Sequence, residues 1–139
     1  MKIKVIFFLV AIFLAASAYA GPAEPLLNYE PSVVVLSGKL DLEHHYGPPN
    51  YGESPTTDAK VLIAVLNLDS PISTRTDTKT QQSGHSHIKR LQLVVYNKKD
   101  ISPFLHSHVK ISGTLFEADN ANHYTKVLMI VQKVAREKN

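Results

Sequence analysis

Two seven-residue stretches, VVLSGKL at 34–40 and VKISGTL at 109–115, lie far apart in the chain yet share one design. Each alternates apolar and polar residues and carries Ser-Gly at its centre. Period-two alternation places every second side chain on one face of a strand. Glycine in a strand interior weakens it unless the strand bends, bulges or passes close to another backbone. Two glycines at matching places predict a small, strongly coiled barrel.

The remaining strands are read in the same way. In the first, residues 32–43, Val34, Leu36, Gly38, Leu40 and Leu42 share one face, and Ser37, Lys39, Asp41 and Glu43 the other. Residues 60–69, KVLIAVLNLD, are apolar on both faces in the first half, as in a strand covered on one side and partly covered on the other. Residues 70–86, rich in Ser, Thr and Gln, read as a long exposed loop. Alternation resumes over 87–96 and over 108–117, and residues 125–134 form the last strand. Between the third and fourth strands, Ser102-Pro103 resembles a helix cap and first turn. One short helix is expected within 99–108. Five strands with a short helix between the third and fourth is the order of an OB-fold-like, all-β Greek-key barrel, with a six-stranded sandwich as the competitor. In the barrel, strand one is antiparallel to strand four and strand three is parallel to strand five.

The ends set the compartment. Lys2 and Lys4, the apolar run Val5 to Ala16 and the small-x-small Ala18-Tyr19-Ala20 read as a signal peptide over 1–20, cleaved before Gly21. Twelve apolar residues fall short of the ~20 of a spanning helix, so no stable membrane insertion is expected after cleavage. The product is expected in the periplasm or secreted, with 21–32 an extended, mobile leader, 33–135 the barrel and 136–139 a frayed tail. It keeps thirteen basic against twelve acidic side chains, a balance that disfavours nucleic acid as partner. No cysteine is present, so burial and backbone pairing alone hold the fold.

GPPNYGESPTTD at 47–58, LNLDSPI at 66–72 and VKISGTLFEADNANHYTKVLM at 109–129 resemble an uncharacterised family of small exported bacterial proteins, filed as a domain of unknown function. The likeness runs from about Ser37 to Val131. Where that family tends to carry several histidines before Thr-Pro, this chain reads Asn122-His123-Tyr124-Thr125-Lys126. The resemblance implies compartment and fold more than activity, and small exported OB-fold proteins are generally binding modules.

All seven histidines follow the signal segment. The barrel topology is expected to bring His44 and His45 toward His106 and His108, and His85 and His87 toward His123, giving two clusters suited to zinc or copper. The plainer alternative is histidines facing water. The loop HHYGPPNYGE at 44–53 offers a second site. Tyr46, Asn50, Tyr51 and Glu53, with His123 and Tyr124, are expected to line a groove for a glycan or protein segment, with packing of the tyrosines as a lid the alternative. Glu43, Glu53, Asp58 and Asp69 have no acid-and-base spacing and read as solvated charges. Gly-x-Ser-x-Gly elbows and phosphate loops are missing. The expectation is a periplasmic binding module without catalysis or cofactor, an accessory or inhibitor whose partner is an envelope protein or glycan. The alternative is a periplasmic zinc or copper binder.

Overall fold

A computed structural model describes residues 21–96 and 101–138. Residues 1–20, read from sequence as a signal peptide, and residues 97–100 lie outside the described residues. Five long strands and one short one run in the order β1 (Leu26–Leu27), β2 (Val33–Tyr46), β3 (Lys60–Thr74), β4 (Ile88–Val94), β5 (His108–Glu117) and β6 (Val127–Arg136). Hydrogen-bonded neighbours follow β1-β3-β2-β5-β6-β4, and β3 pairs with β4 to close the barrel. The β2–β5 pair is antiparallel and the β4–β6 pair parallel, as the OB-fold-like topology requires.

The shared Ser-Gly phrase marks two close approaches. A Cβ on Gly38 would stand 2.2 Å from the Asn67 carbonyl oxygen, and one on Gly113 would stand 2.1 Å from that of Ile130. No side chain fits either place. Residues 33–39 of β2 pair with β5, and residues 38–46 pair with β3. Gly38 is therefore where β2 passes from one neighbour to the other, which is the coil that closes a five-stranded barrel. Gly113 lies at a register shift between β5 and β6. Inside, Leu40, Leu66, Leu91, Ile111, Leu115 and Met129 are fully buried.

Several boundaries differ from the sequence reading. The expected short helix is a single 3-10 turn, Ser102–Phe104, because Leu105 already turns to extended backbone at ψ 143 on the way into β5. The expected loop at 70–86 starts later. Ile72 is 2% exposed and pairs with Ile88, while a register shift between Asn67 and Ile72 accommodates Pro71. Residues 21–32 are extended but docked: Leu26–Leu27 pair in parallel with Ser73–Thr74, and Tyr29 is buried. Its hydroxyl donates to the Ser83 carbonyl at 2.7 Å. The last strand also reaches further, through Ala135 and Arg136.

Candidate functional site: an aromatic groove at the barrel rim

The stretch HHYGPPNYGE divides in the structure. His44, His45 and Tyr46 finish β2, paired with Leu62, Val61 and Lys60 of β3. Residues 47–59 form the loop. Its base is closed by the Gly47 N–H donating to the Ala59 carbonyl at 2.6 Å and the Ala59 N–H donating to the Pro48 carbonyl at 2.9 Å. Pro48-Pro49 is a cis peptide.

Asp58 organises the rest of the loop. Its carboxylate accepts the backbone N–H groups of Asn50 at 2.9 Å, Gly52 at 2.8 Å and Ser54 at 3.1 Å. Burial would raise this carboxyl, but the three donors outweigh it and hold the group below the usual carboxylate range. Asp58 is 7% exposed, so it is a structural anchor rather than the solvated charge expected from spacing. Under this constraint Tyr51 adopts the left-handed region at φ 52, and Gly52 at φ 105 lies against the Tyr46 ring. A tyrosine at positive φ is uncommon and persists only where its surroundings impose it.

The loop before β6 packs against the end of β2. Gln92 of β4 is buried, donates from Nε2 to the Asn122 carbonyl at 3.1 Å, and accepts the Tyr124 N–H on Oε1 at 2.7 Å. Held there, Tyr124 donates its hydroxyl to the Tyr46 carbonyl at 2.9 Å, and its ring lies 4.4 Å from that of His45. Burial, then the nearby Tyr51 phenol, pushes the Tyr124 hydroxyl above its ordinary pKa. Beside these rings is a groove of about 420 Å³ lined by His44, His45, Tyr46 and Lys60. Tyr46 and Tyr51 are each 39% exposed, so neither packs away as a closed lid.

Of the six residues expected to line a groove, Tyr46, Tyr51 and Tyr124 come together. Asn50 gives its backbone N–H to Asp58, and Glu53 is exposed beyond it. His123 instead folds into its own turn, edge-on to Phe116 at 5.4 Å, with Nδ1 3.1 Å from Asp119. Sequence reasoning missed Asp58, Gln92 and Lys60. Aspartate at the close of a Gly- and Pro-rich loop was the available signal for the first, since it commonly accepts nearby backbone N–H groups. A buried glutamine in an alternating strand leaves no comparable mark.

The two expected histidine clusters do not form. Lys39 is the β2 residue opposite His108, and His44 lies five residues further, about 17 Å along the strand, paired with β3. At the other end, Gln92 holds residues 122–124 level with itself, while His87 precedes β4 at φ 55 and turns to Glu24. Six of the seven histidines instead face a carboxylate: His45 with Glu43 at 3.3 Å, His85 with Glu117 at 2.7 Å, His87 with Glu24 at 2.6 Å, His106 with Asp41 at 3.1 Å, His108 with Asp69 at 2.7 Å, and His123 with Asp119. Glu43 also pairs with Arg90.

The C-terminal half of the barrel, from β4 through β6, carries Gln92 and Tyr124. Residues 90–135 match the model of a domain of unknown function, DUF4431. An uncharacterised domain family is what the sequence resemblance implied. The DUF4431 segment includes Tyr124, which braces the end of β2, and the residues that line the groove precede it. No curated protein matches the chain.

Proposed function

We propose that this is an exported, periplasmic binding module without catalysis, which captures an envelope protein or glycan in the aromatic groove. The carrying observation is that Tyr46, at the end of β2, and Tyr51, on the loop pinned by Asp58, both remain outward. Rigid, exposed aromatic rings give contact area at little entropic cost on binding. Position supports the reading too. OB-fold proteins commonly bind on the face formed by their second and third strands, flanked by the first loop and the loop before the last strand. Here the loop before the last strand meets the end of β2, where the first loop begins, through Tyr124 and Tyr46. Lys60 and His44 add polar donors at the rim, suited to hydroxyl or carboxylate groups of a saccharide or of an acidic protein segment. Export rests on the sequence of residues 1–20.

The test uses two separate arms, isolated cell-wall glycan and a detergent-free envelope protein extract. The Tyr46→Ala/Tyr51→Ala double variant should lose capture in one arm while its melting temperature stays nearly unchanged. Undiminished capture by the double variant in both arms would remove the groove from the function.

A further inference from the structure

Asp69 follows Leu68, the β3 partner of Gly38, and His108 is the β5 partner of Lys39, so the two flank the coil of β2. His108 Nε2 lies 2.8 and 2.7 Å from the two Asp69 oxygens, and its Nδ1 lies 3.1 Å from Glu137 Oε2. Glu137 is seated by its own N–H, which donates to the His108 carbonyl at 3.1 Å. Glu137 therefore belongs to a built corner rather than to the frayed tail expected from sequence.

From this corner we infer a binding site for one divalent ion of the zinc class, held by Asp69, His108 and Glu137. Each residue offers one ligand atom, all within 4.8 Å of one another, the one such group of three among the described residues. Three atoms so spaced share a point no more than about 2.8 Å from each, against ~2.0–2.2 Å for a zinc bond to nitrogen or carboxylate oxygen. Movements of less than about 1 Å, in side chains that are only partly buried, close that gap. A second observation points the same way. Glu137 Oε2 is shut off from solvent and has no hydrogen-bond donor, although it faces His108 Nδ1. A cation satisfies that oxygen where the imidazole N–H geometry does not. The ion takes one ring nitrogen in place of its proton, and the carboxylate now facing the other nitrogen turns toward the ion.

The donor set decides the class of ion. One imidazole with two carboxylates suits zinc, and calcium would ask for six or more oxygens. Lys110 Nζ, 3.3 Å from Glu137 Oε1, opposes a cation, but it contacts the other oxygen and its side chain is 53% exposed, free to swing outward. The site lies beside the middle of β2, five residues before the groove's His44, and stands independently of the binding reading.

Titration calorimetry with zinc chloride, on tag-free protein produced from the full-length sequence, should show one equivalent bound with Kd below about 100 µM, and no comparable heat with calcium or magnesium. His108→Asn and Asp69→Asn should each weaken zinc at least tenfold, while His87→Asn, at an exposed pair elsewhere, should not. Should His108→Asn fail to fold, the near-isosteric Asp69→Asn still decides the matter. Zinc should also raise the melting temperature of the wild type and not of Asp69→Asn. Absence of uptake, or uptake unaffected by Asp69→Asn, overturns the site.

Discussion

The Asp58 carboxylate accepts the Gly52 N–H at 2.8 Å, and Gly52 in turn lies against the ring of Tyr46. One buried carboxylate thereby sets both the loop's path and the place of the first groove tyrosine. Replacing Asp58 with alanine leaves three N–H groups without their acceptor and adds nothing in return. The expected outcome is a melting temperature lower by at least about 5 °C and a groove that no longer captures its ligand. Thermal melts read the first effect, and the envelope capture assay the second.

Gln92 acts at a distance from the ligand surface. Gln92→Leu keeps the side-chain volume but removes both bonds to residues 122 and 124, so Tyr124 should come loose from Tyr46. Capture should weaken about tenfold while the fold persists with roughly 1–2 kcal/mol less stability, by chemical denaturation. Tyr124→Phe should reproduce part of the weakening, since it removes only the hydroxyl bond to the Tyr46 carbonyl.

The two barrel glycines should be intolerant of any side chain. Gly113→Ala would drive a Cβ into the Ile130 carbonyl, which is backbone and cannot rotate away, so a loss of about 3 kcal/mol or more is expected. Gly38→Ala should behave alike against Asn67. Gly21→Ala, with nothing within 4 Å, should be neutral in the same denaturation experiment.

Acid should destabilise the fold through its carboxylates. Hydrogen bonds from His87 and Ser73 lower Glu24, those from the Ser83 backbone and His85 lower Glu117, and that from Ser37 leads the lowering of Glu137. A lowered folded-state pKa means that the unfolded chain binds more protons in the acid range. Their contribution is therefore fully present above the unfolded value of about 4.3 and is lost as pH falls through the lower folded values. Melting temperatures should be level from pH 7 to about 5 and fall steadily from 4.5 to 3. Glu24→Gln and Glu117→Gln should each make that fall shallower.

Much of the architecture was legible because strand formation is local. Alternation over 108–117 and the repeated Ser-Gly phrase needed no knowledge of neighbours, and β5 spans His108–Glu117 as read. Pro71 misled in the other direction. A proline in a Ser- and Thr-rich stretch reads as loop, yet a register shift lets β3 continue to Thr74, where β1 joins it. The helix failed for want of length, as one turn suffices to carry the chain into β5.

The sequence by itself determined the five long strands, their inward faces, the barrel topology implied by two matching glycines, and the aromatic loop between the first two long strands. These follow from backbone periodicity and from what proline and glycine permit, which neighbouring residues dictate. Tertiary structure alone decided where charged and polar side chains end up. Whether His108 meets His44 or Asp69, and whether Asp58 faces water or three N–H groups, depends on strand register and on where β2 changes partner at Gly38. Register comes from the summed packing of the whole barrel, and a shift of one residue sends every side chain to the other face. HHYGPPNYGE accordingly splits into a strand end and a pinned loop, with its histidines beside the groove and its tyrosines turned outward.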